Sequence, residues 1–290
     1  MNEFNQNGFG GFDENPDEKY HVESAAETAS RTSRRQLEDM VIDLQGRDQA
    51  ILHALNEGRF MTTGQVSQMH FEDDHANPRA AHRAANRTMQ RLQNYGLINP
   101  LERRIGGVKG GSSNYIWSLT TPGARAANLG GEEPKRRRQY EPSACFVEHT
   151  LGISELNIQL LGIDGIAVME AQFEPNCWRT YSGKTLKPDL YAVTSDGAYE
   201  DSWFFELDMA TEAPSRVVSK CEQYQEYCKA GIEQSDNGVF PAVVWIVPDQ
   251  SRKASLQEHI AKSAALTQKE LFLVILPDEL HALIRRGAGL

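Results

Sequence analysis

Three acids stand out by type and spacing. Asp189 lies in Lys187-Pro188-Asp189-Leu190-Tyr191-Ala192-Val193, and Glu206 and Asp208 lie in Trp203-Phe204-Phe205-Glu206-Leu207-Asp208. Both runs read as short buried strands, joined through a tight turn at Ser195-Asp196-Gly197. A buried carboxylate is costly unless something compensates its charge. Three acids converging on one sheet edge form a hard oxygen site suited to Mg2+ or Mn2+. Such an ion polarises a phosphoryl oxygen and lowers the pKa of an attacking water, so the chemistry expected is metal-dependent cleavage of a phosphodiester.

Strand alternation puts Glu206 and Asp208 on one face, with Phe205 and Leu207 on the other. Pro188 stops regular pairing and leaves the Asp189 carboxylate free at a strand start. Glu170 is either a further ligand or a plain exposed strand residue. Glu148 and Glu155, on the preceding helix, either hold a metal-bound water or solvate that helix. His149, beside them, either packs the helix or joins the chemistry. Arg216, Lys220 and Tyr224 share one helical face at four-residue spacing, with Gln223 next to them. Lys220 either positions the nucleophile and stabilises phosphoryl charge, or makes a structural ion pair with Glu206.

A second constellation is basic. Arg79, Arg83, Arg87 and Arg91 recur every fourth residue along one predicted helix, with Ala80, Ala84, Thr88, Leu92 and Tyr95 expected opposite. Like charges in such a row destabilise an isolated helix by a few tenths of a kcal/mol per pair, roughly. A row of this kind suits a recognition helix in the major groove of double-stranded DNA. Arg79, His82, Arg83, Asn86 and Arg87 would then lie nearest the bases and phosphates. The alternative is a solvated face.

The elements around that row spell a winged helix-turn-helix. Ile51, Leu52 and Leu55 form a first helical face. Thr62 and Thr63 introduce a second helix, and Asn77-Pro78 opens the third, closed near Gly96. Two β-rich runs, ending at Ile105 and starting at Tyr115, flank a glycine-rich tip that carries Lys109, the wing. Thr121-Pro122-Gly123 starts one more helix. The boundaries read as a polar, weakly helical tail over 1–44, disordered by composition in its first part, and a winged-helix domain over 45–128. A basic linker over 129–142 and an α/β domain over 143–290 complete the chain. In the last, strands first meander and then alternate with helices, which predicts a mixed sheet.

Charge supports the division. The chain has a net charge of −10, yet residues 48–140 hold 13 Lys/Arg against 8 Asp/Glu, while residues 141–290 hold 12 against 22. Sign asymmetry of this kind points to nucleic acid at the middle block and to bound cations at the acidic one. No apolar run of about 18 residues is present, so no transmembrane helix is expected, and the polar, acidic start does not resemble a signal peptide. Cys145, Cys177, Cys221 and Cys228 form no CxxC pair and read as reduced thiols of a cytoplasmic protein.

Two resemblances follow from these residues. Pro188-Asp189 with Glu206-Leu207-Asp208 resembles the PD-(D/E)xK nucleases, whose proline-aspartate strand and following acid bind metal. Asp208 stands where that pattern has lysine, and Lys220 resembles a migrated substitute. The run Tyr115 to Gly123, the helix start Phe146-Val147-Glu148-His149-Thr150-Leu151, and Phe205 to Glu212 with Lys220 and Tyr224 are together similar to the replication-relaxation family, over roughly residues 45–280. That resemblance implies a DNA-processing protein of plasmids or mobile elements, in some members a relaxase that nicks the transfer origin within a mobilisation or replication complex. The fold class expected is therefore α/β and α+β: an N-terminal winged helix followed by a restriction-endonuclease-like mixed-sheet domain. Two functions stay open, a Mg2+- or Mn2+-dependent nicking enzyme and a non-catalytic DNA-binding regulator with a degenerate nuclease fold. Asp208 in place of lysine favours the second.

Overall fold

The computed structural model describes residues 34–42, 44–101, 115–128 and 142–289. The wing tip with Lys109, the basic run Lys135–Arg138 and the tail up to residue 33 lie outside the described residues.

The N-terminal block begins with α1 (Arg34–Ile42) and α2 (Gly46–Gly58), then β1 (Met61–Thr62), α3 (Thr63–His70) and α4 (Pro78–Asn94). It ends with β2 (Ile98–Pro100), β3 (Ile116–Leu119) and α5 (Thr121–Ala127). Thr62 caps α3 by accepting from the Gln65 N–H, and the Gln65 side chain accepts from the Thr62 N–H in return. Asn77 caps α4 by accepting from the Ala80 N–H, and Pro78 fills the first helical position. The three strands form a small antiparallel sheet with β3 in the middle.

The core of this block joins Ile51, Leu52 and Leu55 of α2 to Met89 and Leu92 of α4 and to Trp117. Leu37 is buried among them, so α1, expected at the end of the tail, packs as part of the folded block. The buried face of α4 is Ala81, Ala84, Ala85, Met89 and Leu92. It is rotated from the expected one: Ala80 and Thr88 are half-buried and Tyr95 is exposed, while Ala81, Ala85 and Met89 take the covered positions.

The C-terminal block is a five-stranded mixed sheet with helices on both faces. It runs α6 (Ala144–Leu161), β4 (Ala167–Phe173), β5 (Arg179–Tyr181), β6 (Lys184–Leu186), β7 (Leu190–Ser195), β8 (Glu200–Leu207) and α7 (Pro214–Ala230). There follow α8 (Ile232–Asn237), β9 (Ala242–Ile246), α9 (Gln250–Lys262), β10 (Phe272–Ile275) and α10 (Leu280–Arg286). The strand order is β10-β9-β8-β7-β4; β8, β9 and β10 are parallel, and β7 runs antiparallel to both of its neighbours, β8 and β4. The hairpin β5–β6 is not anticipated from sequence, since its six residues carry no sustained alternation.

Alternation along the central strands sorts their side chains between two cores. Trp203 and Phe205 of β8 pack with Leu156 of α6 and Leu283 of α10, whereas Phe204 packs with Val217, Tyr224 and Tyr227 of α7. All five residues of β9 are buried, as a strand covered on both faces requires. Glu206 shares the parity of Phe204 and so projects beneath α7.

The two blocks meet along α6. Val147 and Leu151 pack on Ile116, Phe60 and Leu101, Gln65 donates to the Leu151 carbonyl at 2.9 Å, and Ser154 donates to the Phe60 carbonyl at 3.2 Å. On its other side α6 sits close to β8: a Cβ on Gly152 would lie 2.4 Å from a Leu207 methyl. Glycine at that position lets the helix settle against the strand that carries Glu206. Among the described residues no helix is long and apolar enough to cross a membrane.

Candidate functional site

The register of the sheet brings the acids together. Leu190 pairs with Phe205, and the Asp189 N–H donates to the Phe205 carbonyl, so Asp189 sits beside Glu206 where β7 begins and β8 ends. Asp189 Oδ2 accepts from the Leu207 N–H at 2.8 Å and lies 3.2 Å from His149 Nε2. Glu206 is 2 % exposed, and both its oxygens are taken. Lys220 Nζ donates to Oε2 at 2.5 Å and the Tyr224 hydroxyl donates to Oε1 at 2.5 Å. The four-residue spacing on α7 delivers both donors, one turn apart, onto the same carboxylate.

This environment pushes the two carboxyls apart. Burial raises Asp189, but the bond from His149, the charge of Lys220 and the Leu207 N–H outweigh it and hold the group below the usual carboxylate value. Burial dominates at Glu206; the Lys220 ammonium opposes it, the Asp189 charge adds to it, and the group is raised to about 8. Burial lowers Lys220, yet the charges of Glu206 and Asp189 prevail and keep it protonated. The hydrogen bond to Asp189 raises His149 against its own burial. Adjacent carboxyls with opposite proton preferences are an arrangement suited to acid–base work.

The remaining predicted residues do not gather there. Asp208 follows the last residue of β8, and Arg252 on α9 takes it in a two-pronged pair with bonds of 2.5 and 3.0 Å. The Arg252 partner is invisible to strand parity, because it arrives from a helix 44 residues later. Glu170 is exposed and accepts from Gln172; it pairs with Val193, well along β7 from the Asp189 end. Glu148 is exposed, and Glu155 accepts from Gln65 across the seam between the blocks. Among the described residues no group of three or more His, Cys, Asp or Glu side chains is placed to hold a metal ion.

Two neighbours of Asp189 escape a reading of the sequence. Glu174 follows Phe173, the partner of Leu190, so continuing the register sets it beside Asp189. It lines a cleft together with Asp189, His149 and Arg59, the last contributed by the N-terminal block. Knowing the antiparallel register would have found Glu174; nothing in the spacing would have found Arg59.

On α4, Arg79, Arg83 and Arg87 are exposed and, among the described residues, form no ion pair. His82 and Asn86 are half-exposed beside them, and His82 lines an open cleft with Gln65, Gln68 and Glu155. Arg91, the fourth of the row, instead pairs with Asp48 at 2.5 Å, an acid that is 2 % exposed. The open row is therefore three arginines long, and its last turn is spent on holding α2 to α4.

The family model for replication-relaxation proteins matches residues 52–243, from within α2 to the start of β9, so it spans parts of both blocks and includes Asp189, Glu206 and Lys220. The chain belongs to the replication-relaxation family, which associates it with replication or mobilisation of plasmids and mobile elements. No curated protein and no solved structure gives a significant match. Arg252, which neutralises Asp208, lies beyond the matched residues.

Proposed function

We propose that the chain is a DNA-binding protein of plasmid or mobile-element replication or mobilisation that nicks duplex DNA with Mg2+ or Mn2+. The observation that carries this is the convergence of Asp189, Glu206 and Lys220 at one end of the sheet, in the order of a PD-(D/E)xK nuclease. The helix order of the N-terminal block, its β3-centred sheet and the exposed Arg79, Arg83 and Arg87, which form no ion pair among the described residues, support a winged-helix domain that grips the duplex.

The donor set fits a hard ion in a particular way. Asp189 Oδ1 makes no bond among the described residues, and Glu206 offers a second carboxylate once Lys220 or Tyr224 turns aside. Mg2+ is commonly held by one or two carboxylates with substrate phosphates completing its shell, so two acids suffice. The bound ion would supply Lewis-acid polarisation of the scissile phosphate. Lys220, released from Glu206, would place its ammonium on a non-bridging oxygen and stabilise developing charge. His149, whose pKa the hydrogen bond to Asp189 raises, would donate a proton to the leaving oxygen. Tyr224 would hold the Glu206 carboxylate in place.

Incubation with supercoiled plasmid carrying the cognate origin tests this. Open circles are expected with Mn2+ and not with chelator, and should vanish in Asp189→Ala. Unchanged nicking in that variant would remove the assignment.

One observation favours the other reading, a regulator with a silent nuclease fold. Both Glu206 oxygens are already occupied and Asp208 is committed to Arg252. A Mn2+ titration without heat at millimolar ion, alongside intact DNA binding, would select it.

A further inference from the structure

The cleft over Asp189 and His149 is closed on one side by the N-terminal block, through a turn at the end of α2. The Phe60 N–H donates to the Gly58 carbonyl at 2.7 Å, and Arg59 between them has φ 63° and ψ −46°. That is the γ-turn of the rare, strained hand, in a region costly for any residue with a Cβ. Glycine would adopt it freely, yet an arginine occupies it.

The turn is clamped against α6. Ser154 donates to the Phe60 carbonyl, Phe60 meets Phe146 edge-on with centroids 6.2 Å apart, and a Cβ on Gly58 would lie 2.9 Å from Ser154 Oγ. Arg59 is thus held in a fixed place on the helix that carries His149. Its guanidinium lies 5.6 Å from the Phe146 ring centroid and makes one long bond, 3.5 Å, to the Glu174 carbonyl. Although Glu57 and Glu174 line the same cleft, Arg59 forms no ion pair among the described residues. An arginine presents five donors in a fixed fork, and among the described residues only one of them is engaged, in the cleft that Asp189 also lines.

We propose that Arg59 is a phosphate-positioning residue: the DNA-binding block lends it to the α/β block, where its fork holds a DNA phosphate in the cleft beside Asp189 and His149. This rests on the nuclease reading above and adds to it that the site is composite, incomplete without the turn of α2. Backbone strain at Arg59 is the cost of aiming its side chain into this cleft.

The test uses the full chain and a thymidine bisphosphate, which carries two phosphates on one sugar, titrated calorimetrically with Mn2+ present. Arg59→Gly removes the fork and relieves the positive φ. The expected result is binding weakened by about tenfold or more, the share of one charge-assisted bond, with a melting temperature no lower than that of the wild type. Arg59→Lys should recover part of the binding, since a point charge replaces a fork. Arg59→Gly binding the bisphosphate as well as wild type overturns the proposal. So does a melting temperature that falls in Arg59→Gly in step with the binding, because the arginine would then be structural. Plasmid nicking separates the two levels. Nicking without bisphosphate binding in the wild type sinks Arg59 alone; arginine-dependent binding without any nicking sinks the nuclease and leaves the phosphate site standing.

Discussion

The arginines of α4 and the acids at the β7–β8 end handle charge in opposite ways. Arg79, Arg83 and Arg87 stand in solvent with no partner among the described residues, where an uncompensated charge costs little and stays available to a ligand. Asp189, Glu206 and Asp208 are buried, and each is answered by a basic side chain from another element: His149, Lys220 and Arg252. Burial forces that pairing, since an uncompensated charge in the interior would not be tolerated. A ligand can therefore simply add itself to the first region, whereas in the second it must displace a partner already in place.

The largest effect that would break this comparison is on chemistry. Asp189→Ala should lower Mn2+-dependent nicking of supercoiled plasmid by about a hundredfold or more, comparable to losing a preorganised charge-stabilising group. Removing Glu206 should also cost stability. Glu206→Ala leaves the Lys220 ammonium and the Tyr224 hydroxyl without their acceptor, and chemical denaturation should show a loss of about 1–3 kcal/mol, the range for a buried donor left unsatisfied. Stability within experimental error of wild type would mean that Lys220 simply swings to water.

Next is the exposed row. Arg83→Glu should weaken duplex binding and make the log–log salt slope shallower by about 0.9, the share of one phosphate that is no longer neutralised. Its effect on stability should be within about 0.5 kcal/mol, as for a surface change. An affinity and slope unchanged by the substitution would move the DNA interface away from α4.

Last come the effects of pH, which carry opposite signs in the two blocks. The folded chain keeps the Glu206 proton up to about 8, while the unfolded chain releases it near 4.5. Between those values the folded state binds the extra proton, so its stability is complete below 4.5 and declines as pH rises towards 8. The slope cannot exceed about 1.4 kcal/mol per pH unit for one group. His149, raised by Asp189, acts in the same direction. Glu206→Gln should flatten that alkaline decline in a pH series of melting temperatures. His70 behaves the other way. Burial and the charge of Arg47 lower it from 6.5 to about 4, so the unfolded state binds the extra proton in that window and stability falls as pH drops through it. His70→Gln should soften the acid limb alone. A melting profile monotonic across the whole range, with neither variant altering it, would show that neither group is held as described.

Much of the scaffold follows from local rules. The caps at Thr62 and Asn77, the apolar face of α2 and the fully buried β9 are set by residues within one or two turns of each other. The pairing of Asp189 with Glu206 follows from two apolar runs joined by a short turn, and Lys220 and Tyr224 meet Glu206 because four-residue spacing stacks them on one side of α7. The face of α4 was legible only in part, because which alanines are covered depends on how α3 crosses it.

What the amino-acid order determined by itself was the inventory: two blocks of opposite charge, a row of arginines, and a strand pair carrying acids at one end. Tertiary structure decided which of those charges remain free. Asp208 was removed by Arg252, Arg91 by Asp48 and Glu155 by Gln65, while Glu174 and Arg59 were brought beside Asp189. Each of those encounters joins residues from different elements. Periodicity reports which side of an element is buried, but only packing and strand register report what that side is buried against.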